Sequence, residues 1–285
     1  MTYTEFRQTG REAGKSYNYF VSSDWHIGNN TFSREAFKKD MDSALKADAL
    51  IFGFGDILDI ITPADLKRYN PGNDPFHSSA YFNDMIDDAL KTLKPYVDNI
   101  AFLSRGNHEV EFQKRYHIDP LSILWRELNN MRDKSLEPIK LGAYLGFIKI
   151  RYRAGGSAST GSSQNWFFDH GKGGASEITK GTIGINRMMN RALADVYLTG
   201  HSHNKVVMPC EPVLGVNSAD RIMQKNRTAI ITGSYLENVK LQSGDKYQID
   251  YGYEKCRTNQ STGGVMISHK VDGNFNIDMS IGMDC

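Results

Sequence analysis

Five short polar motifs, each directly after an apolar run, constrain this chain more than any other feature of its sequence. They contain five of its eight histidines. The motifs are Asp24-Trp25-His26, Gly55-Asp56-Ile57-Leu58-Asp59, Gly106-Asn107-His108-Glu109, His170-Gly171 and Gly200-His201-Ser202-His203. Carboxylates, imidazoles and an amide oxygen are the ligand mix for hard to borderline divalent cations such as manganese, iron or zinc. Together the motifs predict a two-metal site.

The apolar runs before these motifs predict β-strands, and helical patterns lie between several of them. In an α/β sheet, functional groups gather beyond the carboxyl ends of the strands, so five such loops can converge on one point. Extended backbone also projects residues two apart to the same side, as in the two motifs that contain paired ligands. The predicted strands cover residues 17–22, 49–54, 100–104, 141–153, 164–168, 196–199, 229–232, 265–270 and 275–281, and the predicted helices cover 34–46, 78–96, 119–131 and 183–194.

Length and net charge place few limits on the function of this chain. A chain of 285 residues with 40% hydrophobic residues can bury a substantial core, and we expect a single domain over residues 1–285. The formal net charge of +1 provides no global basic field, so binding to nucleic acid would need a local patch.

Cysteine usage bears on the compartment. The three cysteines have no CxxC spacing, which argues against a disulfide framework and against a thiolate metal site. A cytoplasmic protein is therefore expected. No run of the sequence predicts a signal peptide or a membrane span, so we expect no membrane partner, and the oligomeric state stays open.

Three segments are predicted to be irregular. Residues 1–16 are expected to form a polar lead-in. Residues 61–77, which contain three prolines, and the Gly/Ser-rich residues 155–163 are expected to be surface loops near the site. At the other end of the chain, Asp272-Gly273 predicts a hairpin turn.

The five motifs, in this order, resemble those of the calcineurin-like metallophosphoesterases. The resemblance covers residues 24–203. It implies an α/β (α+β-like) metallophosphoesterase fold in which two mixed β-sheets pack as a sandwich flanked by helices. It also implies two metal sites that share Asp56 as a bridging ligand. The first site would consist of Asp24, His26, Asp56 and His203, and the second of Asp56, Asn107, His170 and His201.

The expected reaction is the hydrolysis of a phosphate ester. Two divalent ions about 3.5 to 4 Å apart can share a hydroxide and hold the phosphoryl oxygens. Manganese is the first expectation for both ions, and iron, zinc or nickel are alternatives. His108 follows a ligand and should face the substrate, where it could protonate the leaving oxygen. We expect Glu109, or less readily Asp59, to orient the His108 ring.

The substrate is where the sequence constrains least. Arg105 and Lys172 adjoin motif residues and could bind phosphate oxygens, although lysine and arginine side chains on loops are usually solvated. Arg187 and Arg191 could follow a nucleic-acid backbone or form a solvated helix face. An aromatic and basic tail segment could stack bases, and it comprises Tyr247, Tyr251, Tyr253 and Arg257. His77, His117 and His269 are expected to be surface or satisfied histidines.

These features favour a phosphodiesterase or nuclease that acts on a nucleotide or nucleic acid. The alternative is a phosphomonoesterase, including a protein phosphatase. A third hypothesis is a metal-binding scaffold without catalysis, for which we would expect an eroded set of ligands.

Overall fold

Two mixed β-sheets and their covering helices make up most of the regular structure in this computed structural model. It describes residues 1–9, 16–62, 69, 75–76, 78–153, 161–173, 178–209, 212–216, 220–237, 239–242, 246–249, 261–272 and 276–282. The first sheet has the order β1 (Thr2–Thr9), β6 (Leu145–Arg153), β7 (Gly161–Asp169), β8 (Val196–Thr199), β12 (Thr228–Ile231) and β9 (Val206–Pro209). The second has the order β16 (Ile277–Gly282), β15 (Val265–Val271), β2 (Ser16–Ser22), β3 (Leu50–Phe54), β4 (Ile100–Ser104) and β5 (Lys140–Gly142).

Both sheets mix parallel and antiparallel pairs. In the second sheet β2 to β5 are parallel neighbours, while β15 pairs antiparallel with both β2 and β16. The strands on either side of the predicted Asp272-Gly273 turn therefore pair as in a hairpin, and Gly273 itself lies outside the described residues. Two separate hairpins are also present, one of β10 (Val213–Val216) and β11 (Ile222–Lys225) and one of β13 (Val239–Gln242) and β14 (Lys246–Ile249).

Helices cover the outer faces of the two sheets. Within the described ranges they are α1 (Arg34–Lys46), α2 (Tyr81–Leu93) with a 3₁₀ turn at Lys94–Tyr96, α3 (Asn107–Tyr116), α4 (Pro120–Met131) and α5 (Thr182–Arg191). The apolar faces of α1, α2 and α4 pack on the second sheet, and that of α5 packs on the first. Strands β3 and β4 are almost wholly apolar because both of their faces are covered.

The main core lies between the sheets. In β6 every second residue is buried, including Ile148, Ile150 and Tyr152, which is the alternation of a strand with one face on a core. Trp166 of β7 packs against Phe52 of β3 with ring centroids 5.6 Å apart. The layers are helix, sheet, sheet and helix, and the predicted sandwich of two mixed sheets is confirmed.

The expected polar lead-in over residues 1–16 is wrong, because residues 2–9 form β1. This strand pairs in parallel with β6, with Thr4 opposite Ile148 and Phe6 opposite Ile150. Thr4 and Phe6 are buried, whereas the intervening side chains face outward. A strand at the sheet edge with one inward aromatic residue has too few apolar positions for a clear alternating pattern. Residues 10–15 lie outside the described part of the chain.

One predicted loop has different bounds in the structure, and one helix was not predicted. Strand β7 begins at Gly161, so residues 161–163 belong to it and not to a loop, while 154–160 lie outside the description. Of the predicted loop 61–77, residues 61, 62, 69, 75 and 76 have neither helix nor strand, and the others are not described. Helix α3 has no counterpart among the predicted elements, since its first residues carry the Asn107-His108-Glu109 motif and its last turns are polar.

None of the helices in the described part of the chain has the length and apolar character that a membrane span requires.

Candidate metal centre

The seven predicted metal ligands meet at the carboxyl ends of five strands. Asp24 and His26 follow β2, Asp56 follows β3, and Asn107 begins α3 after β4. The histidines come from the other sheet, where His170 follows β7 and His201 and His203 follow β8. The centre therefore lies across the ends of both sheets, and the sandwich itself brings its two halves together.

One group of ligand atoms comes from Asp24, His26 and His203. The Nε2 atoms of His26 and His203 are 3.2 Å apart, and Nε2 of His203 is 3.4 Å from Oδ1 of Asp24. Bonds of about 2 Å to a shared ion would separate its ligand atoms by about 3 to 4 Å. These three side chains could therefore hold one ion.

The second group comprises Asp56, Asn107, His170 and His201. Nε2 of His170 lies 3.1 Å from both Oδ2 of Asp56 and Oδ1 of Asn107. The same Asn107 oxygen lies 2.7 Å from Nδ1 of His201. A carboxylate oxygen of Asp56 also lies within 4.8 Å of a ring nitrogen of His26 and of His108. Asp56 therefore stands between the two groups. That position suits a bridging carboxylate.

The Asp24 carboxylate shows most directly that a cation fits. Its Oδ2 accepts a hydrogen bond of 2.9 Å from the amide of His201 and another from the hydroxyl of Ser23. Its Oδ1 is buried and has no hydrogen-bond donor among the described residues. Because a buried carboxylate oxygen without a hydrogen bond is costly, this oxygen is arranged for a positive partner.

Histidine orientation supports the same conclusion. Nδ1 of His170 donates to the carbonyl oxygen of Phe54 at 2.9 Å, and Nδ1 of His26 lies 3.0 Å from Oδ1 of Asp59. Contacts on the remote ring nitrogen fix the tautomer and the direction of a ligating imidazole. Both rings therefore present Nε2 to the centre.

Strained backbone accompanies the ligands. Five of the seven have positive φ angles: 52° at Asp24, 51° at His26, 50° at Asp56, 64° at His201 and 55° at His203. Each such residue costs of the order of 1–3 kcal/mol and persists only where its surroundings hold it. Here the amides of the Asp24 loop donate to the carbonyls of Gly55 and Asp56, both at 3.0 Å.

Two glycines permit the close approach of these loops. A Cβ on Gly106 would lie 2.1 Å from Oδ1 of Asp56. Gly55 has a φ of 89°, and a Cβ there would lie 2.5 Å from Nδ1 of His170. Any larger residue at either position would displace a ligand.

Charges in the centre offset the cost of burial. Burial alone would raise the pKa of Asp24, but His203 and His170 lower it to about 2. The pKa of Asp56 is held well below its ordinary value, against the effect of burial, by His170 and His108. Burial would lower the pKa of His170, but Asp56 and Asp24 raise it to about 10. Both carboxylates are thus kept ionised, as cation binding requires.

The sequence matches a family model described as calcineurin-like phosphoesterase over residues 18–205. The chain belongs to this family. Membership implies metal-dependent hydrolysis of phosphate esters, and the matched region contains all seven predicted ligands.

Solved structures that are similar to this one have low sequence identity to it. The chain is similar to GAP50, the anchor in the inner membrane complex of Plasmodium, with 11% identity and a TM-score of 0.44 over 93% of this chain and 84% of that one. It is also similar to a metallophosphoesterase from Sphaerobacter thermophilus, with 11% identity and a TM-score of 0.31 over 88% and 82%. Wild-type Vps29 from Entamoeba histolytica, complexed with zinc, has 11% identity and a TM-score of 0.29 over 93% and 98%. No curated protein sequence matches the chain.

In this calcineurin-like phosphoesterase, Asp59 contacts His108. Its Oδ1 lies 3.1 Å from Nδ1 of His108 and 3.0 Å from Nδ1 of His26, and its Oδ2 accepts a hydrogen bond of 2.7 Å from Asn29. Burial would raise the pKa of Asp59, but the adjacent imidazoles of His108 and His26 hold it below its ordinary value. Asp59 can therefore orient both rings.

Glu109 makes different contacts from those expected. Its buried carboxylate accepts hydrogen bonds from the amides of Gly106 at 2.8 Å, Leu58 at 3.0 Å and Asp56 at 3.2 Å. Burial and the nearby Asp56 raise the pKa of Glu109. Because Glu109 lies in the first turn of α3, its side chain turns back to these loop amides. Glu109 therefore holds the loops after β3 and β4 together. The residue that contacts His108 and can orient its ring is Asp59, and not Glu109 as first expected.

The two tentative substrate residues have different surroundings. Each of the three guanidinium nitrogens of Arg105 donates to a neighbour, and these neighbours are Asp119, Ser122 and the carbonyl of Gly142. Such contacts connect β4, α4 and β5, and they leave the predicted substrate role of Arg105 without structural support. Lys172 is exposed and lines a cleft that reaches His201.

Several predicted residues lie away from the centre or outside the described chain. Tyr251, Tyr253 and Arg257 of the aromatic and basic tail segment are not described, and neither is His77. Tyr247 belongs to strand β14. His117 is exposed at the end of α3, and His269 is buried between the sheets.

Sequence reasoning missed several supporting residues. Asn29 holds Asp59, the hydroxyl of Thr232 lies 2.6 Å from that of Ser23, and the hydroxyl of Tyr144 donates to the carbonyl of Gly171. Asn29 is close to the first motif and could have been suspected. Thr232 and Tyr144 lie in other segments, and no local pattern indicates their contacts.

Proposed function

We propose that the protein is a dinuclear metallophosphoesterase that hydrolyses phosphodiesters of a nucleotide or nucleic acid. The observation that carries this proposal is the arrangement of seven ligand side chains in two groups, with Asp56 between them and His108 beside it. Manganese is the proposed metal for both positions, with iron, zinc or nickel as alternatives, because the donor set contains only oxygen and nitrogen atoms.

The chemistry of the centre follows from its charges. Divalent cations in the two groups would provide a water nucleophile near neutral pH and positive charge for the phosphoryl oxygens. Asp24 and Asp56 contribute the two carboxylates, and the other ligands are neutral when they bind a cation. The loaded centre would keep a net positive charge, which favours an anionic ester and its transition state.

His108 is the proposed general acid. Its Nδ1 faces Asp59 at 3.1 Å, and its Nε2 lies 3.8 Å from Oδ2 of Asp56, so the ring edge that bears Nε2 is directed into the centre. A carboxylate on Nδ1 stabilises the protonated imidazole. The ring can then donate its Nε2 proton to the oxygen of the leaving group.

The cleft beside His201, which the exposed Lys172 lines, supports the diester preference, because a nucleotide chain carries further negative charge next to the scissile bond. The alternative is a phosphomonoesterase, including a protein phosphatase, since the same centre suits either ester. A scaffold without catalysis is the third hypothesis, and the complete ligand set opposes it. We also propose a cytoplasmic location, on the basis of the cysteine usage, and an action that involves no membrane.

The test compares manganese-loaded protein on bis-p-nitrophenyl phosphate, p-nitrophenyl phosphate and single-stranded DNA. We expect cleavage of the diester and the DNA to exceed that of the monoester. His108→Asn should remove most of the activity on DNA, whose leaving oxygen needs a proton, and less of that on the activated ester. His117→Asn, at an exposed position with a φ of 55° that asparagine tolerates, is the matched control. A clear monoester preference would overturn the diester assignment.

A further inference from the structure

A cleft of about 590 Å³ adjoins the metal centre on the side of the first sheet. It lies between the segment that follows β7 and helix α5, and it reaches Gly200 and His201. Its volume is within the range of about 300–1,000 Å³ that is usual for small-molecule sites. A group bound there would lie directly beside the second set of ligands.

The charged side chains that line this cleft are mostly cationic. They are Lys172 and Arg187, Arg191 four residues further along α5, and Asp169. Arg191 forms an ion pair with Asp169, whose other oxygen accepts the amide of Gly171 at 3.1 Å. Within the described ranges Lys172 and Arg187 have no acidic partner, so two positive charges remain available in the cleft.

Two further features suit the two parts of a nucleotide, its phosphate and its base. The amino-terminal turn of α5 lines the cleft, and helix amino termini carry a partial positive charge. Ile183, about half exposed, and Met188 add apolar surface to the same wall. A ligand with both phosphate and flat apolar groups complements this combination.

We propose that this cleft binds the phosphate next to the scissile one in a single-stranded nucleic acid, with Lys172 and Arg187 as its cationic contacts. The proposal rests on the phosphodiesterase function proposed above. Lys172 and Arg187 would contribute to substrate affinity and take no part in the chemical step, because neither is a predicted metal ligand or contacts His108. A single strand is favoured over a duplex because the site is concave, whereas duplex phosphates lie on a convex surface.

The experiment compares wild type with the double variant Lys172→Ala/Arg187→Ala on two substrates. Bis-p-nitrophenyl phosphate has only the scissile phosphate, and a short oligothymidylate has neighbours. We expect kcat/KM for the oligonucleotide to fall at least roughly tenfold, mainly through KM, and that for the small diester to change less than about twofold. The salt dependence of oligonucleotide binding should also weaken, by about 0.7 in log–log slope for each phosphate that the variant no longer neutralises.

The matched control is Lys38→Ala/Arg126→Ala, which also removes one lysine and one arginine, both exposed, from α1 and α4. Binding of the labelled oligonucleotide, measured by fluorescence anisotropy in the presence of a chelator, provides a readout independent of turnover. It should weaken in the cleft variant only.

The outcomes separate the two proposals. If wild type cleaves the small diester and the cleft variant treats the oligonucleotide like wild type, the subsite is overturned and the phosphodiesterase function stands. Equal losses on both substrates also overturn the subsite. If wild type cleaves nothing, the proposed function fails, and the anisotropy measurement then decides whether the cleft binds the oligonucleotide. A wild-type preference for duplex DNA that the cleft variant loses would overturn the single-strand assignment.

Discussion

His170 in the metal centre and His269 between the sheets are both buried, yet their pKa values move in opposite directions. Asp56 and Asp24 raise the pKa of His170 to about 10 despite its burial. Burial lowers the pKa of His269 to about 3. The ring of His269 has aromatic neighbours, with centroids 5.2 Å from Tyr19 and 5.9 Å from Trp166, and its Nδ1 contacts the hydroxyl of Tyr152. Burial penalises a charged imidazole in both places, and only a carboxylate reverses the effect.

Buried polar groups have two different uses in this sandwich. In the centre, buried carboxylates and imidazoles are paired with one another, in an arrangement that could hold a cation. Between the sheets, the chain of Tyr19, Tyr152 and His269, with 2.8 Å between the two hydroxyl oxygens, stays neutral and contributes packing. The first region should therefore govern activity and the second stability.

The largest expected effect is that of Asp56→Asn. Removing the carboxylate between the two ligand groups should lower kcat/KM for bis-p-nitrophenyl phosphate by more than about 10²-fold and reduce the metal content measured by mass spectrometry. Asp87→Asn, at an exposed position of α2, is the control. Near-normal turnover in Asp56→Asn would show that the metal centre does not govern activity.

His269→Ala should act on stability. It leaves a cavity and removes the partner of the Tyr152 hydroxyl, so we expect a loss of about 3 kcal/mol in the free energy of unfolding. Activity per folded molecule should stay unchanged. Chemical denaturation monitored by tryptophan fluorescence, with activity assayed below the transition, measures both. A fall in turnover of the folded variant would show that the region between the sheets also affects activity, against this prediction.

Asp59→Asn should reduce turnover while preserving the fold. An amide cannot stabilise the protonated ring of His108, and losses of roughly 10- to 100-fold are usual for such supporting contacts. Glu109→Gln is the comparison, because Glu109 accepts only backbone amides. That variant should lower the melting temperature more than Asp59→Asn does. Identical pH–rate profiles for Asp59→Asn and wild type would contradict the orienting role.

The smallest effect is a pH dependence of stability that comes from His269. Its pKa is about 3 in the folded protein and about 6.5 in the unfolded chain, so between these values the unfolded state binds the extra proton. The contribution of a neutral His269 is complete above pH of about 6.5 and declines as pH falls, by about 2 kcal/mol between pH 6.5 and 5. His269→Gln should flatten this part of the stability curve. An unchanged slope would mean that His269 is not the group responsible.

The residues that meet in the centre could be predicted from the sequence because they lie in local motifs. Each motif follows an apolar strand, parallel pairing brings the strand ends of each sheet together, and the packing of the two sheets joins the two halves of the centre. Helix α4 was equally clear, since Asp119 precedes Pro120 and its side chain accepts the amide of Ser122. Strand β1 was missed because an edge strand needs few apolar residues, and its partner lies more than a hundred residues away.

The ligand types, their order and the strands that carry them were determined by the sequence itself, because each depends on neighbours along the chain. The contacts between segments were decided only by the tertiary structure. It directs Glu109 to loop amides and Asp59 to His108, and it connects Arg105 to Asp119. It also places His269 among aromatic rings and His170 beside a carboxylate. These outcomes depend on packing and electrostatics between distant segments, and so one residue type has a raised pKa at one site and a lowered pKa at the other.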